Sequence, residues 1–260
     1  MLRRIDSLSY RGTFSGRSPF WKSGFAAVMF VTAYIGHPLV QVAVWMWLAL
    51  WTIRYGGIPW KPYASLTAAS LLFYMLSLPA LLIEAAPSSA QGMVLLGWGE
   101  QVLLVTPEAV VRAEHLLLRV GACLSCFLFL ILTTPFAGLL KVMEKLRLPA
   151  VVIELTLIMY RFLFLLGDTA SGMMLARSVR GGSRGFRAAV ADTAALAGRL
   201  FAKTMERYRG AAIGFAVRGY EGTIRMGPDA STPMPTRYRA EGWIGTALLA
   251  GAELLFRVWN

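Results

Sequence analysis

Residues 150–179 read AVVIELTLIMYRFLFLLGDTASGMMLARSV, and this apolar stretch predicts one long helix. Glu154, Arg161 and Asp168 lie seven residues apart in it, so two helical turns separate each from the next and the three form one polar line. Because an unpaired charge in a low-dielectric site is costly, we expect a buried charge ladder with Arg161 at its centre and partners on neighbouring helices. Changing Arg161 to alanine should then destabilise the chain more than changing Arg207 to alanine. Two alternatives stay open: the line faces water or lipid headgroups, or residues 151–166 form a membrane span.

A second long helix is predicted over residues 184–218. Its apolar residues are interspersed with charged ones, a mixture too polar to cross a bilayer. The segment Gly181-Gly182-Ser183 supplies the break between the two helices. Upstream, residues 136–148 have the pattern of a short amphipathic helix that ends at Pro149. An interfacial helix without a protein partner is an equally good explanation of that short segment.

The two long helices end alike. The first closes with Ala176-Arg177-Ser178 and the second with Ala216-Val217-Arg218-Gly219. An arginine at a helix C-terminus suits the helix dipole, and a following glycine can cap the turn. The helix dipole and the glycine cap would be enough to explain an arginine at one helix end. Two matched ends on consecutive helices favour two arginine tips that face the cytoplasm and fit a partner with two similar sockets.

Small residues precede each arginine at helical spacing. Gly172 is four residues before Ala176, and Gly210 is four residues before Gly214. Spacing of this kind lets two helix backbones approach closely, so we expect the two helices to cross near these positions.

The composition is that of an integral membrane protein. Hydrophobic residues make up 57% of the chain and charged residues 15%, which leaves too little polar surface for a water-soluble body. The net charge is +12, and in a chain with such long apolar blocks the positive-inside rule explains it better than nucleic-acid binding does. Residues 1–23 are basic and lack the apolar core and cleavage site of a signal peptide, so we expect a cytoplasmic tail.

Four apolar regions are candidates for crossing a bilayer: 24–53, 64–84, 113–134 and 240–258. The first is too long for one crossing and contains Gly36-His37-Pro38, where proline interrupts a helix, so it is predicted to form two short helices. The predicted fold class is therefore all-α, a polytopic membrane protein with about five transmembrane helices and three cytoplasmic helices.

The distribution of charged residues indicates how the chain is oriented in the membrane. The basic tail and the link around Arg54 and Lys61 belong inside, and the segment 84–114 belongs outside because it is rich in acids (Glu84, Glu100, Glu108 and Glu114). The chain is thus divided into residues 1–134 (tail and first four crossings), 135–239 (cytoplasmic) and 240–260 (last crossing). The C-terminus is expected outside.

No catalytic, cofactor or metal site is predicted in this chain. Cys123 and Cys126 lie in an apolar span without a second pair of ligands, and we interpret them as small buried residues. His37 and His115 are single histidines near helix ends, for which a structural role is the better explanation. The sequence has no phosphate loop of the G-x-x-x-x-G-K-[ST] form, so ATP would have to be bound by another chain.

Over nearly its whole length, the chain resembles the transmembrane T components of energy-coupling factor transporters, and among them the cobalt-type CbiQ family. The paired arginine ends are the most specific element of this resemblance. Further matching segments are Ile5-Asp6-Ser7-Leu8-Ser9-Tyr10, Gly57-Ile58-Pro59, Thr133-Thr134-Pro135 and Met159-Tyr160-Arg161-Phe162. In that family two Ala-Arg-Gly-type motifs end two coupling helices. Carried over to this chain they are Ala176, Arg177 and Ser178, and Ala216, Arg218 and Gly219. Ser178 stands where the family has glycine, and Val217 separates the second alanine from its arginine.

The resemblance implies a non-enzymatic scaffold. Two ATP-binding ABC-type ATPase subunits would each receive one motif and would move the coupling helices. These helices would act on a separate CbiM-like membrane subunit that captures cobalt or nickel ions for cobalamin biosynthesis, and a small accessory membrane subunit can accompany it. The chain would be a multi-pass protein of a bacterial inner membrane with a cytoplasmic N-terminus.

Two other classes of protein share some of these features. A membrane enzyme that acts on a lipid or prenyl substrate would need clustered carboxylates or a His–acid pair, whereas this chain has only single acids. A membrane-anchored nucleic-acid or anionic-lipid binder using residues 177–218 would show steep salt dependence and would tolerate Arg-to-Lys changes.

Overall fold

The structure is a computed structural model that describes residues 2–87, 93–98, 101–179, 181, 185–219 and 231–259. The all-α class of a polytopic membrane protein is confirmed. In chain order the helices are α1 (Leu2–Arg11), α2 (Pro19–Ile35), α3 (Pro38–Leu50), α4 (Trp60–Leu82), α5 (Pro107–Thr133), α6 (Phe136–Lys145), α7 (Ala150–Val179), α8 (Phe186–Val217) and α9 (Thr236–Trp259). A π-helical turn, Trp51–Tyr55, extends α3.

The chain forms two compact units. The first contains Met1–Leu139 and Ala230–Asn260, so it joins both ends of the sequence, and the second contains Leu140–Asp229. Most of α6 and all of α7 and α8 belong to the second unit.

The first apolar block is split where the sequence predicted. α2 ends at Ile35, His37 precedes α3, and Pro38 starts α3 at the position where a helix tolerates proline. The Glu253 carboxylate accepts a hydrogen bond of 2.7 Å from the backbone N–H of His37. Gln41 donates from its side-chain amide to the carbonyl oxygens of Ala33 and Gly36. These bonds satisfy backbone groups that a helix end leaves without partners.

Aromatic side chains form the centre of the first unit. Trp51 is 1% exposed, and its ring centroid lies 5.3 Å from those of Phe25 and Tyr55. Phe129 of α5 packs edge-on against Phe25 at 5.6 Å. The cluster joins α2, the end of α3 and α5, and α9 packs against α2 and α3. Large rings such as these bury much apolar surface, so the cluster is a main part of the core of this unit.

Lys22 is buried at the start of α2, although the sequence assigned it to a basic cytoplasmic tail. Its ammonium donates hydrogen bonds of 2.8 Å to the carbonyl oxygens of Phe14 and Thr133. Thr133 is the last residue of α5, where helix carbonyls lack partners and the dipole favours a cation. Lys22 therefore caps α5, which ends two residues before Pro135.

A short β-sheet lies between α4 and α5, and the sequence did not predict it. Its strands are β1 (Ile83–Pro87), β2 (Met93–Trp98) and β3 (Gln101–Val105), arranged antiparallel in the order β1-β3-β2. Ile83 pairs with Val105 in one ladder and Met93 pairs with Val105 in the other. Glu100, one of the acids used to orient this segment, lies outside the described residues.

Three helices of the described part are long and apolar enough to cross a membrane: α4, α5 and α7. The first two correspond to predicted crossings. α7 was placed among the cytoplasmic helices, but its hydropathy had kept a membrane span open as an alternative. The crossings assigned to α2, α3 and α9, and the inside and outside positions of the links, stay predictions.

Candidate functional site

Both arginine-bearing helix ends exist where the sequence placed them. Arg177 lies in the last turn of α7, and Arg218 directly follows α8. The next residue, Gly219, has φ of +71°, the left-handed conformation of a helix-capping glycine. Gly181 after α7 also has a positive φ, of +99°. Gly182 and Ser183, part of the predicted break, lie outside the described residues.

Arg177 is held by an ion pair to the other helix. Its Nη2 lies 2.9 Å from Oδ2 of Asp192, and the two side chains are 29% and 46% exposed. The sequence placed Asp192 on the second helix but gave no sign that it meets Arg177. Both residues line a cavity of about 410 Å³.

α7 and α8 run antiparallel. The C-terminal end of α7, at Met173 and Arg177, shares a cavity with the N-terminal part of α8, at Asp192 and Leu196. The middle of α7, at Ile158–Leu165, shares a second groove with Arg207–Arg218 of α8. Arg177 and Arg218 therefore lie at opposite ends of the pair. Asp192 marks the position of Arg177 along α8, because the two side chains are in contact. From Asp192 to Arg218, a helix rises about 1.5 Å per residue, so the two arginines are roughly 40 Å apart.

The other residues of the two end motifs are open to binding. Ala176, Ser178, Ala216, Arg218 and Gly219 are all exposed. The Ser178 hydroxyl donates to the carbonyl oxygen of Leu175 at 2.8 Å, so the serine that replaces the family's glycine stays within the helix without an unmet polar group.

The predicted charge ladder stays a prediction. In the chain by itself Glu154 is 8% exposed, whereas Arg161 and Asp168 are exposed. Arg161 lines the groove between α7 and α8, which Arg207 also lines. The greater loss of stability expected for Arg161→Ala than for Arg207→Ala stays a prediction as well.

The helix crossing expected at small residues stays a prediction. In the chain by itself, a Cβ atom added at Gly172, Gly210 or Gly214 would meet no atom within 4 Å. Gly210 and Gly214 line the groove between α7 and α8.

The two helices expose much apolar surface. Of the described residues, only Ile153 and Glu154 of α7 and none of α8 are buried. The exposed apolar side chains include Met159, Leu175, Val179, Phe186, Phe201, Ile213 and Val217. An apolar area of this extent marks a surface that binds protein or membrane.

The described residues contain no group of three or more His, Cys, Asp or Glu side chains that could hold a metal ion. Cys126 is buried and Cys123 half-buried, and both are free thiols. His115 is exposed, and the half-buried His37 ring stacks on Phe256 at 5.1 Å.

A family model described as "CbiQ: Cobalt transport protein" matches residues 17–228, which is most of the chain and includes both arginine-ended helices. The chain belongs to the CbiQ family. Within this family it is 28% identical over 224 residues to a cobalt transport protein CbiQ of Rhodobacter capsulatus, covering 85% of this chain and 86% of that protein. It is 25% identical over 227 residues to a CbiQ of Salmonella typhimurium, covering 85% and 99%.

A third relative of this CbiQ-family chain is longer. It is a putative fused cobalt transport protein CbiMQ of Methanocorpusculum labreanum, 26% identical over 219 residues. The match covers 74% of this chain and 36% of the fused protein.

Two of the other segments that carry the resemblance lie in structurally demanding places. Gly57 has φ of +66°, and a Cβ added there would lie 3.0 Å from Oγ1 of Thr13. Ile58 is 2% exposed and packs with Tyr63 and Leu132. Thr133 accepts the hydrogen bond from Lys22 that caps α5. These two segments belong to the first unit, whereas residues 159–162 and the arginine ends belong to the second.

Proposed function

We propose that this chain is the transmembrane scaffold subunit of an energy-coupling factor importer for cobalt or nickel ions. The observation that carries the proposal is the placement of Arg177 and Arg218 at the two far ends of one antiparallel helix pair. Membership of the CbiQ family supports transport as the biological setting. The subunit lies in a bacterial inner membrane with its N-terminus in the cytoplasm.

The distance between the tips favours two separate sockets. A separation of roughly 40 Å exceeds the diameter of a small domain, about 30 Å, so one small partner domain could not receive both tips. Two ATPase subunits side by side offer two equivalent sockets at such a distance. Each guanidinium presents several N–H donors in a planar fork, which suits carboxylate and carbonyl acceptors at the bottom of a socket.

The helix pair transmits movement between the sockets and the membrane. When the two ATPase subunits close on ATP, the sockets approach each other and carry the two tips with them. Because α7 and α8 have almost no buried core of their own, their relative angle can change without breaking packed apolar contacts. Their exposed apolar faces then act on the membrane subunit that captures the ion.

The capture subunit is CbiM-like. The fused relative from Methanocorpusculum labreanum carries CbiM and CbiQ in its name, which supports assembly of the two kinds of chain. Selection between cobalt and nickel then resides in the capture subunit, not in this chain, and ATP is bound by the ATPase subunits.

Co-expression tests the assembly. The tagged chain would be expressed with two ATPase subunits and a CbiM-like subunit encoded by the same organism, purified in mild detergent and analysed by mass spectrometry. We expect all partners to co-purify and cells to accumulate ⁵⁷Co²⁺ only when the set is complete. Purification of the chain without ATPase subunits, or cobalt uptake that does not require this chain, would contradict the proposal.

A further inference from the structure

A groove between α7 and α8, separate from the Arg177–Asp192 ion pair, concentrates positive charge. It has a volume of about 350 Å³, and Arg161, Arg207 and Arg218 line it. Within the described part of the chain, no acidic side chain lines this groove. Arginine side chains that line one groove without an acidic neighbour favour an anion in that groove.

The rest of the groove is apolar. Ile158, Phe162 and Leu165 come from α7, and Phe215 comes from α8. Gly210 and Gly214 leave space on the α8 side, since a Cβ at either position would meet no atom within 4 Å. The groove thus combines donors for an anion with room and apolar walls for a hydrocarbon segment.

We propose that this groove binds the phosphate headgroup of an anionic phospholipid, with the glycerol and the first acyl carbons against the phenylalanines. Charge complementarity favours this occupant, because guanidinium groups bind phosphate oxygens in pairs of hydrogen bonds. α7 is itself long and apolar enough to cross a membrane, which favours contact of its exposed faces with lipid. The arginines at the two ends of the groove are set apart along α8, so a headgroup with two phosphates engages more of them than one with a single phosphate.

Lipid binding in this groove can be tested separately from ATPase docking. Arg161 and Arg207 line the groove but do not belong to either arginine end. Substitution of these two residues removes most of the phosphate contacts and leaves Arg177 and Arg218 in place. Failure of lipid binding and failure of ATPase docking are therefore distinguishable.

Native mass spectrometry of the full chain, released from nanodiscs of phosphatidylcholine alone or mixed with phosphatidylglycerol or cardiolipin, tests the proposal. We expect retained anionic lipid on the unaltered chain, more with cardiolipin, and little retained phosphatidylcholine. Combined Arg161→Gln and Arg207→Gln should weaken retention on the order of tenfold to thirtyfold. Combined Arg187→Gln and Arg209→Gln removes the same charge from exposed positions of α8 outside the groove and should have little effect.

Several results would overturn the proposal. Equal loss in the two double variants would mean that only net charge matters. Equal retention of phosphatidylcholine and anionic lipid would remove the role of phosphate. Displacement of the lipid by millimolar inorganic phosphate, without any contribution of the acyl chains, would assign the groove to a free anion. A photo-reactive residue at position 162 that crosslinks to a partner protein instead of lipid would assign it to a protein.

Discussion

The Arg177 guanidinium lies 2.9 Å from the Asp192 carboxylate, which ties the C-terminal tip of α7 to the N-terminal part of α8. The arginine side chain stays 29% exposed beside this ion pair. Asp192 thus acts as a positioning residue, because it restricts the rotamers from which Arg177 would enter a socket. The second tip, Arg218, has its own restraint in the left-handed Gly219 that ends α8.

Changing Asp192 to asparagine should weaken capture of the ATPase subunits without preventing it. A partly exposed ion pair contributes roughly 0.2–1 kcal/mol, so the dissociation constant should rise about 1.4-fold to fivefold. The measurement is surface binding of purified ATPase to the detergent-solubilised chain. Glu206→Gln removes a carboxylate from an exposed position of the same helix and serves as the control. An unchanged or tighter complex for Asp192→Asn would argue against a positioning role.

Changing Lys22 to methionine should lower the melting temperature of the purified chain. The substitution keeps the length of the side chain but leaves the Thr133 carbonyl, at the end of α5, without its donor. A buried acceptor without a partner costs about 1–3 kcal/mol, which corresponds to a loss of roughly 2–12 °C for a chain of this size. Lys61→Met, at an exposed position of α4, is the matched control and should leave the melting temperature nearly unchanged. Equal melting temperatures of the two variants would show that Lys22 does not cap α5.

Replacing either of two glycines of α9 with alanine should have different effects on the stability of the chain. A Cβ at Gly245 would lie 2.6 Å from Cζ2 of Trp47, whereas a Cβ at Gly251 would meet no atom within 4 Å. Gly245→Ala should therefore destabilise the chain by about 1–3 kcal/mol through overpacking, and Gly251→Ala should be neutral or stabilising by up to about 1 kcal/mol through helix propensity. Thermal unfolding in detergent measures both. A stabilising Gly245→Ala would mean that α9 does not pack on Trp47 as the structure places it.

Local patterns in the sequence predicted much of the helical framework. Pro38 and Pro149 determine where helices begin or end, and residues 150–179 form the single helix that their apolar character indicated. The arginine ends were found because a basic residue followed by glycine is a local signal of a helix C-terminus.

The features that the sequence did not predict depend on distant parts of the chain. Lys22 is buried because the carbonyl of Thr133, more than one hundred positions away, lies beside it. Asp192 became a partner of Arg177 only through the antiparallel arrangement of α7 and α8. The same arrangement places Arg161 and Arg207 at one groove. Periodicity identifies the face of a helix but not the element that covers it.

The docking role of Arg177 and Arg218 is tested most directly by measuring how well the ATPase subunits bind a chain in which both arginines are replaced. Combined Arg177→Ala and Arg218→Ala should abolish co-purification of the ATPase subunits, while the variant still inserts in the membrane and melts like the unaltered chain. Combined Arg177→Lys and Arg218→Lys should also bind poorly, because a lysine keeps the charge but not the planar fork. Combined Arg187→Ala and Arg209→Ala removes equal charge from exposed positions of α8 and should retain the ATPase subunits. Undiminished ATPase capture by the Arg177→Ala and Arg218→Ala chain would contradict the account.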